Sequence, residues 1–551
     1  MHHFIISIGG TGMRCLESFV HLCAMGMMDD CEIDILTLDT DAENGNRVRV
    51  EQLIDQYNKI KGNNTLNDGE SNAGINNSTF FSAKLNKFSY YTIYNEERGT
   101  KFKQLARLAT SGEREENKKL ADLFLDKDRV QEFDLQRGYR AQTHLGSYLM
   151  YHSLIDSAVR ISKGNSAAGD FRNRSLEKPD EDLKEFLGRL VKAENGSKVF
   201  IFGSVFGGTG ASSIPILPPA LRDAVSIACG GKVLNANFGA TLLTNYFSFP
   251  PSNKAQKDKE KVIAESVYFD LNSQAAIDFY SKDKSVREFY KSFYMVGWPE
   301  EAAEWGAKDG TIQTGGSEQK NPCHVAELMC AAAAYDFFKK DISTNKKDVE
   351  YFYRSAPFNE GKFSFRAEDF FGPDAAKFSN RIGAMFSLAN IVITSCEAKN
   401  EGGIKQLQKL MAKDGEEFKN LTNSQYKAID DYLMQFAFEP SNGILRHGWL
   451  YQLKDSVKGQ FIFDSKSFAD DLAKARDVNP GLLFSELNKE RNWAPKALFG
   501  GYKSVGDTVD EFIKTLRKTP TPTDQSQHLD NLMERFIARI FATFKQLQNF
   551  N

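Results

Sequence analysis

The chain has no apolar run of membrane-spanning length, no Cys-x-x-C pair, no internal repeat and almost no net charge. Each absence excludes a class of protein. Without an apolar run there is no membrane span, and Met1-His2-His3-Phe4 leads directly into strand-like residues instead of a leader, so a cytoplasmic protein is expected. Lys+Arg 70 against Asp+Glu 73 gives a formal charge of −3, which removes the generally basic surface that a nucleic-acid partner would need. The seven cysteines (15, 23, 31, 229, 323, 330 and 396) fall mostly within apolar patterns and read as reduced, buried thiols. Cys323-His324 has no matching second pair and does not make a metal site.

What the chain does contain is an unusual glycine turn. Residues 203–213 read Gly-Ser-Val-Phe-Gly-Gly-Thr-Gly-Ala-Ser-Ser, between a strand pattern at 198–202 and a helical pattern from Ile214 to Cys229. Glycines let a backbone approach a ligand closely, and the amides of a helix start suit phosphate. A P-loop would close with Gly-Lys-Ser/Thr, but Gly210-Ala211-Ser212 has no lysine. A tight turn whose glycines serve packing alone is the alternative for an isolated match.

A second such turn lies near the N-terminus. Phe4-Ile5-Ile6-Ser7-Ile8 reads as a strand, Gly9-Gly10-Thr11-Gly12 as the turn, and Leu16, Phe19, Val20 and Cys23 as the apolar face of a helix. The next strand, residues 33–38, ends in Asp39-Thr40-Asp41-Ala42. One reading is a Rossmann dinucleotide site with Asp39 on a ribose hydroxyl. However, Arg14 and Cys15 break the G-x-G-x-x-G spacing, and that reading leaves the second turn unexplained.

Taken together, the two Gly-Thr-Gly turns and the Thr-Asp-Ala loop between them resemble the tubulin/FtsZ superfamily. Gly207-Gly208-Thr209-Gly210-Ala211-Ser212 is similar to that family's phosphate-binding signature, departing at its last glycine. Leu38-Asp39-Thr40-Asp41-Ala42 resembles the FtsZ Asn-Thr-Asp-Ala loop, and Gly9–Gly12 falls on the first phosphate loop. The resemblance implies an α/β fold: a tubulin/FtsZ-like, Rossmann-type nucleotide-binding domain with a largely helical C-terminal region. It implies contacts to nucleotide from Gly10, Thr11, Gly12, Met13, Arg14, Asp39, Asp41, Ala42, Gly207, Gly208, Thr209, Gly210 and Ala211, with Asp41 serving Mg²⁺. Arg137 to Gly146 stands where the family senses the γ-phosphate, which adds Gly138 and Arg140. Residues 244–251 take the place of the ribose-contacting loop without its acidic residue. Asn321-Pro322 reads as the N-cap and first residue of the central helix, and Asn321 has a second role open to it, reading the base.

The domain plan is a nucleotide-binding domain over 1–340 with an insertion at about 60–136, a connecting segment over 341–400, and a mostly helical domain over 401–551. The resemblance implies GTP/GDP as ligand, with ATP open because Met13 and Arg14 stand where relatives carry a base-reading amide. It also implies head-to-tail self-association, with hydrolysis completed in trans by an acidic residue after the central helix, for which Asp369 is the candidate. An NTP-sensing subunit of a multi-protein bacterial system, antiphage defence among them, is the alternative, with protein partners on the helical C-terminal region. A Rossmann oxidoreductase is the third reading.

Overall fold

The computed structural model describes residues 1–28, 31–61, 81–91, 101–105, 119, 122–123, 125–131, 143–165, 176–193, 197–248, 266–298, 315–319, 321, 323–341, 349–355, 358–359, 362–363 and 367–375, with scattered positions beyond (377–378, 381, 385, 429, 431–433, 435–436, 515, 518–520 and 539). These residues form an α/β structure around one all-parallel seven-stranded sheet. In chain order the elements are β1 (His2–Ile8), α1 (Gly9–Ala24), β2 (Glu32–Asp39), α2 (Gly45–Lys61), β3 (Lys84–Tyr91), α3 (Thr143–Asn165) and α4 (Lys178–Lys192). They continue with β4 (Ser197–Phe202), α5 (Gly208–Ser213), α6 (Leu217–Ala228), β5 (Ala236–Leu243), α7 (Phe269–Lys282), α8 (Lys284–Phe289), β6 (Tyr290–Gly297), α9 (Val325–Lys339) and β7 (Glu350–Ser355).

The strand order is β3-β2-β1-β4-β5-β6-β7. The chain therefore builds outward from β1 to β3, returns to β4 on the other side of β1, and builds outward again. The order reverses between β1 and β4, whose register pairs Ser7 with Phe202. Strands buried on both faces should be almost continuously apolar, and Phe4, Ile5, Ile6 and Ile8 in β1 and Val199–Phe202 in β4 are at most 1% exposed. On one face, Phe4, Ile6 and Ile8 pack with Leu154 of α3, Phe186 of α4 and Leu221 of α6. The other face is covered by α1, α2 and α9.

Several expectations change at this level. The turn residues Gly9–Gly12 and Gly208–Ser213 are already helical; β1 enters α1 with no intervening residue, whereas residues 203–207 separate β4 from α5. The helix α1 is buried on every side, not along one apolar stripe, because α2, α9 and a segment around Tyr432 enclose it. Its polar residues are accordingly paired: Glu17 with Arg49 at 2.7 Å and His21 with the Tyr432 hydroxyl at 2.9 Å. Residues 84–91, inside the stretch read as an insertion, supply the edge strand β3, and residues 350–355 of the connecting segment supply the opposite edge, β7. The N-cap of the central helix α9 is His324, whose Nδ1 accepts from the Ala326 amide at 3.1 Å while Glu327 accepts from the His324 amide. Asn321 lies further upstream.

Cys15, Cys23, Cys323 and Cys330 are buried free thiols, as their patterns implied. Among the described residues no helix is long and apolar enough to cross a membrane. Most of 401–551, where the helical domain was expected, lies outside the described residues.

Candidate functional site

In an open parallel sheet, ligands bind at the carboxyl ends of the strands where the strand order reverses. Both glycine turns stand at that position, one after β1 and one after β4, and they touch. A Cβ placed on Gly9 would lie 3.1 Å from the Thr209 Cβ, and Gly9 itself has φ +64°, open to glycine and few others. A Cβ on Gly12 would fall 2.6 Å from the Phe202 carbonyl oxygen, and one on Gly210 would fall 2.6 Å from that of Ser204. Packing alone therefore accounts for Gly12 and Gly210. Partly exposed surface remains at Gly10, Thr11, Gly207, Gly208 and Thr209, so these residues border the crevice that a reversal of strand order opens at this end of a parallel sheet.

Beside the first turn, β2 ends in two carboxylates. Asp39 is 2% and Asp41 4% exposed, and neither forms an ion pair with a described residue. Asp39 Oδ1 accepts from the amides of Thr40 at 2.7 Å and Asp41 at 3.2 Å. Its Oδ2 accepts from Asn44 Nδ2 at 3.0 Å. Asp41 accepts from the Glu43 amide at 3.0 Å and the Gly316 amide at 2.6 Å. Burial, reinforced by the Asp41 charge, pushes the Asp39 carboxyl up to about 7. Arg47 is the nearby cation, but its guanidinium is held by Glu51 at 3.0 Å, Ser89 at 2.7 Å and the Ala42 carbonyl. A divalent cation would supply the missing positive charge, and the all-oxygen donor set suits magnesium.

Residues 315–319 lie across this rim. Gly316 donates to Asp41 and accepts from the Gly45 amide at 3.0 Å. Gln319 accepts from Asn44 Nδ2 at 2.7 Å, and its amide group is 2.9–3.1 Å from where a Gly10 Cβ would be. Two buried hydroxyls close by, Ser7 Oγ and Thr40 Oγ1, have no hydrogen-bond partner among the described residues. Sequence reasoning missed Asn44, Gly316 and Gln319, because an Asn after a turn and a polar loop carry no motif. The only signal was that residues 302–320 are polar and directly precede the central helix.

The remaining expected residues divide clearly. Met13 and Arg14 are fully buried below the turn and do not face the crevice. The Arg14 guanidinium pairs with Glu327 of α9 and lies over the Tyr246 and Phe247 rings at 5.5 and 5.7 Å. Tyr246, in the segment after β5 that was expected near the ribose, donates to Glu327 at 2.7 Å and helps seal this ion pair. Burial pushes the Glu327 carboxyl up against the opposing pull of Arg14. Ala42 flanks the Asp pair, half-buried, and Ala211 is buried inside α5. Asn321 is 2% exposed; its amide donates to Asn46 Oδ1 at 3.1 Å and its carbonyl accepts from Arg49 at 2.9 Å. Gly138 and Arg140 lie outside the described residues.

Asp369 sits far from the turns along α9. Its short helix, Ala367–Phe371, packs on the C-terminal half of α9, where Tyr335 donates to Asp374 at 2.6 Å. That end of α9 meets the starts of β1 and β4: His3 stacks on Phe338 at 4.4 Å, and Lys198 donates to the Phe338 carbonyl at 2.8 Å. Within one chain Asp369 is therefore not part of the crevice.

A second polar cluster occupies that opposite rim. One ligand atom each from His2, Glu32 and Asp34 lie within 4.8 Å of one another. Arg189 already donates to Asp34 at 2.8 Å and Glu32 at 2.5 Å, while Lys84 pairs with Glu32 at 3.2 Å, so the carboxylates are neutralised by the chain's own cations. No family model and no curated protein matches this chain.

Proposed function

We propose that the crevice between the two glycine turns binds a nucleoside triphosphate with magnesium, GTP in first place. The observation that carries this reading is a convergence. Two glycine turns meet at the reversal of a parallel sheet, beside a buried carboxylate pair that has no ion-pair partner among the described residues. The amides of the first turn of α1 and of 207–209 would receive the phosphates, with the Thr209 hydroxyl as a further donor. Asp41, supported by Asp39, would hold the ion, which supplies charge neutralisation to the phosphates when bound. The glycine signatures and the Asp39-Thr40-Asp41-Ala42 loop support a tubulin-like assignment within this class.

The same reading extends to assembly. Asp369 is at the end of α9 remote from the crevice, so it reaches a bound triphosphate only in another copy stacked head-to-tail. Hydrolysis in such a filament would use Asp369 in trans to assist attack of water on the γ-phosphate. A subunit that senses nucleotide without long filaments would keep the crevice and dispense with this contact.

Mass spectrometry of nucleotide released from the purified chain, with Thr209→Glu as comparison, tests the assignment. Guanine nucleotide retained by the wild type and lost from the variant is the expected result. A carboxylate at 209 repels phosphate but sits on a half-exposed position, so the fold survives. Retention of NAD would transfer the crevice to the dinucleotide class, and equal retention by both proteins would remove the turn from the site. Asp369→Ala should pellet with GTP but hydrolyse slowly; normal hydrolysis would end the trans assignment.

A further inference from the structure

We infer that Gln319 is a phosphate-contacting residue, whose Nε2 donates to an oxygen of the polyphosphate held at the first glycine turn. The inference rests on the reading of the crevice just given and adds a residue that no motif marks. It follows from the hydrogen-bond directions along one chain of side chains. Asn44 Oδ1 accepts from the amides of Asn46 at 3.0 Å and Arg47 at 3.2 Å, which fixes which end of that side chain is oxygen. Its nitrogen therefore faces Asp39 and Gln319, donating to Asp39 Oδ2 at 3.0 Å and to Gln319 Oε1 at 2.7 Å. An amide that shows its oxygen to Asn44 must turn its nitrogen elsewhere. The whole amide lies over Gly10 at the first turn of α1, with Oε1 2.9 Å and Nε2 3.0 Å from its Cβ position; with Oε1 taken by Asn44, Nε2 is the atom that has no acceptor among the described residues.

The place it occupies is built for an anion. Gly10 and Thr11 stand half-exposed at the amide-rich start of a sixteen-residue helix. Below them Ser7 Oγ is wholly buried, has no partner among the described residues, and lies 3.3 Å from the Cβ position of Gly12 in the same turn. Such a group is costly to leave unmade, which points to a ligand or water completing the turn. The backbone of 315–319 is itself fastened, through Gly316 to Asp41 and Gly45, so Gln319 is presented from an anchored segment. The position is also six residues ahead of α9, so phosphate contact at Gln319 bears directly on the start of the central helix.

Isothermal titration of the full chain with inorganic tripolyphosphate and with GTP, both with Mg²⁺, decides the matter. Gln319→Ala should weaken both by about tenfold, the loss of one hydrogen bond to a charged group. Gln319→Glu should weaken them further, and Gln319→Met, which keeps the bulk without the donor, should behave as alanine does. Unchanged or tighter binding by Gln319→Ala and Gln319→Met would overturn the inference and make the side chain a mere cover over Gly10. A loss confined to GTP, with tripolyphosphate unaffected or unbound by the wild type, would also overturn it by moving the contact to the nucleoside. Thr209→Glu distinguishes this failure from that of the site: binding insensitive to Thr209→Glu, or no binding of either probe, sinks the crevice reading itself. Thermal unfolding within a few degrees of wild type for Gln319→Ala confirms that the rim is intact.

Discussion

The strand β2 carries carboxylates at both of its ends, and the two ends are treated in opposite ways. At its start, Asp34 is wholly buried but receives Arg189 at 2.8 Å, His2 at 2.8 Å and Asn86 at 2.7 Å. Burial works against the charge on Glu32, yet hydrogen bonds from Asn86 and Lys84 hold its carboxyl down to about 2. At the other end, Asp39 and Asp41 are nearly as buried, receive only neutral N–H donors among the described residues, and Asp39 is pushed up to about 7. One rim is closed by the chain's own cations and serves stability. The other has no paired cation among the described residues and stands beside two glycine turns, the contrast on which the proposed magnesium–nucleotide site rests.

Charge removal should therefore change stability with opposite sign at the two ends. The largest effect is expected for Asp34→Asn, which leaves Arg189 and the charged form of His2 without their buried partner; urea unfolding should show a loss of about 3 kcal/mol. A neutral result would make the opposite rim ornamental and remove the contrast. Asp39→Asn keeps a carbonyl acceptor for the Thr40 and Asp41 amides and relieves repulsion from Asp41 and the cost of a buried charge, against the loss of the Oδ2 acceptor for Asn44. It should unfold at the same or higher urea concentration than wild type at pH 8, yet bind Mg²⁺ with nucleotide more weakly, by about tenfold.

The pH dependence sharpens the same comparison. The folded-state value for Asp39 lies above its unfolded value of 3.8, so the folded protein binds the proton more tightly. Its contribution is complete below about pH 4 and is lost as pH rises through about 7. Glu32 has the reverse sign: its contribution is present above the usual carboxylate range and disappears as pH falls toward 2. Stability curves of Asp39→Asn and wild type should thus run parallel at acid pH and separate between about pH 4 and 7. Curves that stay parallel would show that Asp39 has an ordinary acidity. The smallest effect belongs to Lys84→Met, which removes one of the cations on half-exposed Glu32 and should cost under about 1 kcal/mol.

How far the sequence announced this molecule follows from where each residue sits. The central strands β1, β2, β4 and β5 were legible because burial on both faces demands apolar runs such as Phe4–Ile8 and Val199–Phe202. The edge strands were not: β3 carries Lys84, Asn86 and Lys87, and β7 alternates exposed and half-buried residues, so both look like polar loop or helix. The two glycine turns and the Asp pair were visible as motifs. Their contact was not, because the Gly9–Thr209 approach spans two hundred residues. Asn321-Pro322 looked like a helix start by a common rule, yet a histidine capped α9 through its ring nitrogen, which few sequence patterns anticipate. Arg14 was read beside the ligand because it follows the turn; one more residue of helix carried it inward to Glu327.

The passage from β1 into α1 takes place at a single glycine, with no intervening loop. A junction with no slack cannot wrap around a guest or give way to one. Its amides are immobilised when the sheet forms, so their ordering entropy is spent during folding and none is owed when a ligand arrives. Discrimination at this rim should accordingly be steep, rejecting by shape what a looser hinge would accommodate.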